Sequence, residues 1–207
     1  MKRIAAFLLA SVMMFLLISC SGNSDVRGEV IELGSTLANK YENKFFGIGC
    51  KLDGDWTFLS NGEIREMNDI TNDMGDDEMA SKLEKAEIIY DMSAVKSNSS
   101  GNIVINIENL GIISSATMKE EEYAAASIEG VKSTFEELQA TNINAKEDSV
   151  TFAGSNHAAI KVNCEIRGIK AFQTVVCYKK DKYMACIAIT SYVNDTTDEM
   201  LSYFYAL

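Results

Sequence analysis

The chain has 207 residues, with 19 basic and 30 acidic side chains, a formal net charge of −11 and no proline. That length suits one domain with an ample core, and so acidic a surface repels nucleic acid and gains nothing from anionic headgroups. Ordinary proline usage of about 5% would give roughly nine or ten, so turns must rest on Gly, Asn and Asp.

Lys2 and Arg3 open the chain, and the run from Ile4 to Ile18 carries no charge. A basic start followed by an apolar stretch is the layout of a secretory leader. The stretch is shorter than the roughly 20 apolar residues a membrane-spanning helix needs. It ends in Leu17-Ile18-Ser19-Cys20, which looks like a bacterial lipobox. In lipoproteins with that motif the cysteine sulfur is diacylated and the leader is removed, and two acyl chains make a stable anchor. Residues 1–19 are therefore read as a lipoprotein signal peptide. Removing them from 207 leaves 188 residues and discards two basic side chains. Lipid, not charge, is expected to hold the mature chain at the outer face of the cell membrane.

Residues 20–40 are mostly small and polar, with one short apolar patch at Val30-Ile31, the composition of a flexible tether that ends in a first edge strand. One domain is expected over 41–207. "FFGIGCKL" (45–52) reads as a strand, and "DGDWTF" (53–58) as a turn leading to a buried tryptophan. Ser60-Asn61-Gly62-Glu63 is a capping box and should start a helix reaching Asn68. A second short helix is predicted from Asp76. Residues 86–95 and 102–109 form a strand pair about "KSNSSG". Thr117-Met118-Lys119-Glu120 is another capping box, opening the longest helix, which runs to Leu138. Tyr123, Ala124, Ile128, Val131, Phe135 and Leu138 share its apolar face.

"VTFAG", "HAAIKVNCEI", "AFQTVVCY" and "YMACIAITSY" then read as an antiparallel meander, and "DTTDEMLSYFYAL" as a terminal helix. Two-residue turns at Arg167-Gly168 and Asp181-Lys182 set Cys164 against Ala171 and Cys177 against Cys186. Ala158, Ile160, Val162, Cys164, Ile166, Val175, Cys177, Cys186 and Ala188 then share one face. Phe172, Val176, Tyr178, Ile187 and Ile189 lie on the other. Both faces are apolar, so both need cover. The expected fold is α+β, an antiparallel sheet of about six strands with helices on both faces.

Four cysteines remain besides Cys20, and an exported chain permits disulfides. Cys177 and Cys186 fall at a non-hydrogen-bonded position, with Cα atoms about 4.5 Å apart, at the short end of disulfide range. Cys50–Cys164 is a second pairing, and free buried thiols acting as small hydrophobes are the reading placed ahead of either bridge. His157 is the single histidine, which excludes multi-histidine zinc sites, and its setting is that of a strand edge. The acids Asp69, Asp73, Asp76, Asp77 and Glu78 suggest calcium. On the EF-hand template, however, Met74 stands where Gly is needed and Ala80 where Glu is needed. They are weak metal candidates that also serve as helix-start acids. Trp56 is either core or a ligand contact. Gly47-Ile48-Gly49 lacks the third glycine of a dinucleotide loop, and no nucleotide-binding or serine-hydrolase motif occurs. No cofactor is implied.

The segments "YENKFFGIGCKLDGDWTF", "VTFAGSNHAAIKV" and "YMACIAITSYVNDTTDEML" resemble a group of Gram-positive bacterial lipoproteins. These in turn are similar to the PsbP-like domains seen in the extrinsic photosystem II protein. In that group the first hairpin reads G-I-x-x-x-x-P-x-x-W. Gly47, Ile48 and Trp56 match, and Asp53 replaces the proline. The resemblance implies an antiparallel sheet between helical layers and carries no photosynthetic site residues. The function expected is a non-enzymatic, lipid-anchored binding module for a protein or envelope partner. A small-ligand or metal-ion binding lipoprotein stands second, and an envelope hydrolase with dispersed carboxylates last.

Overall fold

The computed structural model describes residues 31–71 and 73–207. The expected leader (1–19), the lipidation site Cys20 and the tether as far as residue 30 lie outside the described residues. The other part of the tether, 31–40, belongs to the folded unit. Ile31 is buried, and β1 (Ser35–Leu37) pairs with β2 (Lys40–Asn43). Composition alone hides this, because a short edge strand needs few apolar side chains.

The fold is α+β, with two antiparallel sheets among the described residues. The smaller runs β1-β2-β3-β11, where β3 is Ile48–Lys51 and β11 is Phe204–Ala206. The larger has seven strands in the order β4-β5-β6-β10-β9-β8-β7. Its strands are β4 (Trp56–Phe58), β5 (Ile88–Lys96), β6 (Gly101–Asn109), β7 (Ala140–Phe152), β8 (Ser155–Ile166), β9 (Ile169–Lys180) and β10 (Tyr183–Tyr192). The meander register is the expected one, with Cys164 opposite Ala171 and Cys177 opposite Cys186. Arg167 and Gly168 take left-handed φ values of 51° and 79°, and such turns match the twist of paired strands.

The first helix, α1 (Asn61–Met67), starts on the predicted capping box. The Ser60 hydroxyl accepts from the Glu63 N–H at 3.2 Å, and the Glu63 carboxylate accepts from the Ser60 N–H at 2.8 Å. Next come α2 (Asp76–Lys85) and α3 (Gly111–Thr117). The long helix α4 (Glu120–Glu137) begins later than the Thr117 box predicts, with Lys119 as N-cap and Glu122 accepting from its N–H. Tyr123, Ala124, Val131 and Phe135 bury its inner face against Ala158, Ile160, Val162, Val175, Cys177 and Cys186. Each large side chain so buried contributes about 1.5–3 kcal/mol.

The opposite face is covered mainly by the small sheet. Tyr41, Ile48 and Phe204 pack on Ile103, Ile105, Val176 and Ile187, with Leu83 of α2 at one side. The chain's end is therefore not one helix. It forms a short α5 (Thr197–Leu201) and then β11, paired with β3 through Phe204↔Cys50 and Ala206↔Ile48. Tyr203-Phe204-Tyr205 favours a strand, and Gly49 leaves space for the Tyr205 ring: a Cβ there would lie 2.4 Å from it.

Candidate functional site

Strand β7 is the outer edge of the large sheet. It is thirteen residues long and mostly exposed, since only Val150 and Phe152 are buried. Among the described residues its outward N–H and C=O groups have no ladder partner in the sheet order. Beside its end lies an open groove of about 480 Å³, lined by Ser149, Val150, Thr151 and Lys161 on one side and by Asp198, Leu201 and Phe204 on the other. Phe204 of β11, an edge strand of the small sheet, lines this groove, and its ring lies 4.8 Å from that of Phe152. Lys161 is the cation in the groove. Its Nζ lies 3.2 Å from Asp198 Oδ1 and 3.8 Å from Asp148 Oδ2.

A second polar centre sits where β8 and β9 part. Their pairing ends at Ala159↔Val176, and beyond that point each strand is left with one neighbour. The carboxylate of Glu120, the first residue of α4, fills the fork. It accepts from the Lys179 N–H at 2.8 Å and from the Ala158 N–H. His157 Nδ1 lies 3.0 Å from Glu120 Oε2. Burial works to raise this carboxyl, but the bonds from His157, Lys179 and Ala158 outweigh it and hold the group below its ordinary 4.5. The His157 ring stacks at 4.6 Å on Tyr178 and meets the Phe152 ring edge-on, and its Nε2 is buried without a hydrogen-bond partner.

A third centre is fully buried. Asp91 is the extra residue of a bulge between Tyr90 and Met92, and the bulge turns its side chain inward. It accepts from the Gly34 N–H at 2.6 Å, the Asn43 amide at 2.8 Å and the Tyr41 hydroxyl. Burial pushes its pKa up, against the pull of those three donors. The donors come from β2 and from Gly34, the residue just before β1, so the carboxylate ties the two sheets together.

The residues singled out from the sequence do not converge. Trp56 is buried against Tyr203, with Lys96 Nζ 5.9 Å from its ring, and it does not line the groove. Asp76 and Asp77 occupy the first turn of α2. Asp69 takes a left-handed φ of 54°, and Asp73 is held low by the Thr71 hydroxyl. Among the described residues no three His, Cys, Asp or Glu side chains gather as a metal site. Cys50, Cys164, Cys177 and Cys186 are all buried free thiols. Sequence reasoning does not reach Lys161 and Asp91, because charged residues on strands read as solvated faces, nor Glu120, because an acid at a helix start reads as a cap. The single available signal was Asp91, a lone acid between apolar neighbours in "IIYDMSAV".

No protein-family model and no curated protein matches the chain. Among solved structures, one from Bacteroides thetaiotaomicron aligns with a TM-score of 0.41 at 10% identity, over 82% of this chain and 48% of that one. The chain thus spans about half the length of that protein. LpqN of Mycobacterium tuberculosis, described as involved in cell envelope biogenesis, aligns with a TM-score of 0.37 at 11% identity, over 75% of each chain. Among the described residues no helix is long and apolar enough to cross a membrane.

Proposed function

We propose that the chain is an extracytoplasmic lipoprotein, anchored by diacylglyceryl-Cys20, that binds an extended segment of a protein partner without catalysing a reaction. The lipobox supports the anchor. The observation that carries the binding is the free edge of β7 beside a groove that Phe204 of the edge strand β11 also lines. An extended segment laid there gains main-chain hydrogen bonds, and Lys161 with its two carboxylates supplies side-chain selectivity. A non-catalytic reading is supported by Glu120, whose carboxylate is engaged by backbone donors instead of facing open space.

The test uses the full chain in living cells. A photoreactive benzophenone residue at Ser149, in the groove, should give a discrete covalent adduct. The same residue at Leu37, on the far edge of the small sheet, should give none. Thr151 is at a non-hydrogen-bonded position of the β7–β8 hairpin, so its N–H points outward. Thr151→Pro should abolish the adduct while leaving the fold intact, and Cys20→Ala should move the chain out of the membrane fraction. Equal adducts at Ser149 and Leu37, or none at either, would remove the edge-binding reading.

The volume of the groove supports a second reading, because pockets for small molecules span about 300–1,000 Å³. A ligand at 100 times its dissociation constant would add about 2.7 kcal/mol. A saturable melting shift with an acidic metabolite, lost in Lys161→Ala, or with Ca²⁺, Mn²⁺ or Zn²⁺, lost in Asp198→Ala, would favour it.

A further inference from the structure

The four domain cysteines divide unequally across the large sheet. Cys50 is on β3 in the core beneath the small sheet, whereas Cys164, Cys177 and Cys186 lie on the α4 face. The sheet itself separates Cys50 from the other three. Cys164 faces Ala171, six residues along β9 from Cys177, so the rise of a strand puts about 20 Å between them. Cys177 and Cys186 are directly opposed on adjacent central strands. Counting back from the turn-closing pair Lys180↔Tyr183, they fall at a non-hydrogen-bonded position, where Cα atoms stand about 4.5 Å apart and side chains lean together. That separation lies inside the disulfide range of about 4.4–6.8 Å.

We propose that Cys177 and Cys186 are a disulfide-forming pair in the exported chain, and that the bridge closes the β9–β10 hairpin before α4 covers it. In the folded protein both thiols are buried, and the Tyr123 hydroxyl lies 3.2 Å from Cys186 Sγ. Burial, with Glu120 and Glu108 nearby, pushes the Cys177 thiol up to about 12, and Cys186 is raised as well. The thiolate needed for exchange is therefore scarce once α4 has docked, which places the chemistry in the folding chain. A disulfide donor of the extracytoplasmic space is the oxidant. One thiolate attacks the donor and forms a mixed disulfide, and the second displaces the donor's sulfur. The two cysteines lose two protons and two electrons in total, and the donor disulfide becomes two thiols.

The test is a peptide map of the full chain, exported with its own leader and recovered from membranes. Free thiols are blocked with iodoacetamide before lysis and again in urea, without reduction. Trypsin cleaves after Lys179, Lys180 and Lys182, so residues 171–179 and 183–207 separate unless they are bridged. The expected result is a single linked species of those two peptides, with Cys50 and Cys164 alkylated. Reduction should release both peptides and lower the melting temperature by roughly 5 °C or more. In Cys177→Ala, Cys186 should become alkylatable. Alkylation of both Cys177 and Cys186 in the unreduced wild-type chain would overturn the proposal, as would a bridge from either of them to Cys50 or Cys164.

Discussion

The carboxylate of Glu120 stands in for sheet partners that β8 and β9 no longer give each other. It is about four-fifths buried, and its two backbone donors would be orphaned without it. A hydrogen bond to a charged group contributes about 1.5–3 kcal/mol. Glu120→Gln sets an amide N–H₂ against the same donors, so the variant should lose about 2 kcal/mol at pH 5. The pH dependence follows from the lowered pKa. A carboxyl whose folded value lies below its unfolded value stabilises fully above about 4.5, and that stabilisation fades as pH falls through the folded value. The gap between wild type and Glu120→Gln should therefore shrink between pH 5 and pH 3 in urea titrations. The titratable groups facing the carboxylate are His157 and, by its field, Cys177. A gap of the same size at both pH values would mean that shape, not charge, holds the fork.

At the scale of elements, the small sheet depends on two glycines that receive tyrosine rings. A Cβ on Gly34 would lie 2.3 Å from Tyr41, and one on Gly49 would lie 2.4 Å from Tyr205. The clashes are alike in distance and unlike in consequence. Tyr41 is fully buried and its hydroxyl is held by Asp91, so its ring has nowhere to go. Tyr205 is only partly buried and can swing outward, giving up its 3.4 Å contact with Glu42. Gly34→Ala should cost about 2–3 kcal/mol, at the upper end of the overpacking range, and Gly49→Ala about 1 kcal/mol or less. Chemical denaturation of both variants checks the order, and a larger loss for Gly49→Ala would contradict the packing argument. The same contrast explains which elements the sequence revealed. The central hairpins alternate strictly and turn on short loops, so their register could be read directly. Most of β7 could not be, because "TNINAKEDS" has one covered neighbour and carries polar side chains like a loop. The strand β11 was hidden for another reason, since three residues make a strand only when β3 offers a bare glycine beside them.

For the whole molecule, the candidate site was less legible than the fold, because it is assembled by contact between distant segments. The groove joins residues 149–161 to 198–204, and no local pattern announces such a meeting. The boundary of the domain poses the same problem, since composition assigns everything before Tyr41 to the tether. The structure instead inserts Ile31 into the core, pairs β1 with β2, and sends the Gly34 N–H to Asp91. A chain starting at Tyr41 loses an isoleucine whose burial contributes about 1.5–3 kcal/mol. It also loses one of three donors to a buried carboxylate, at about 1–3 kcal/mol, and exposes β2 as a new edge open to pairing with other chains. A chain starting at Ser21 keeps all of these. The shorter chain should therefore melt at least about 5 °C lower, or aggregate, beside a Ser21 chain that unfolds cooperatively. Equal melting temperatures would return residues 31–40 to the tether and leave the Asp91 tie without structural weight. A loss as large as predicted would mean that the acyl anchor proposed at Cys20 is joined to the core with only ten residues between Cys20 and Ile31, a reach of at most about 40 Å. On the proposed anchoring, a partner held by β7 would then lie close to the membrane surface.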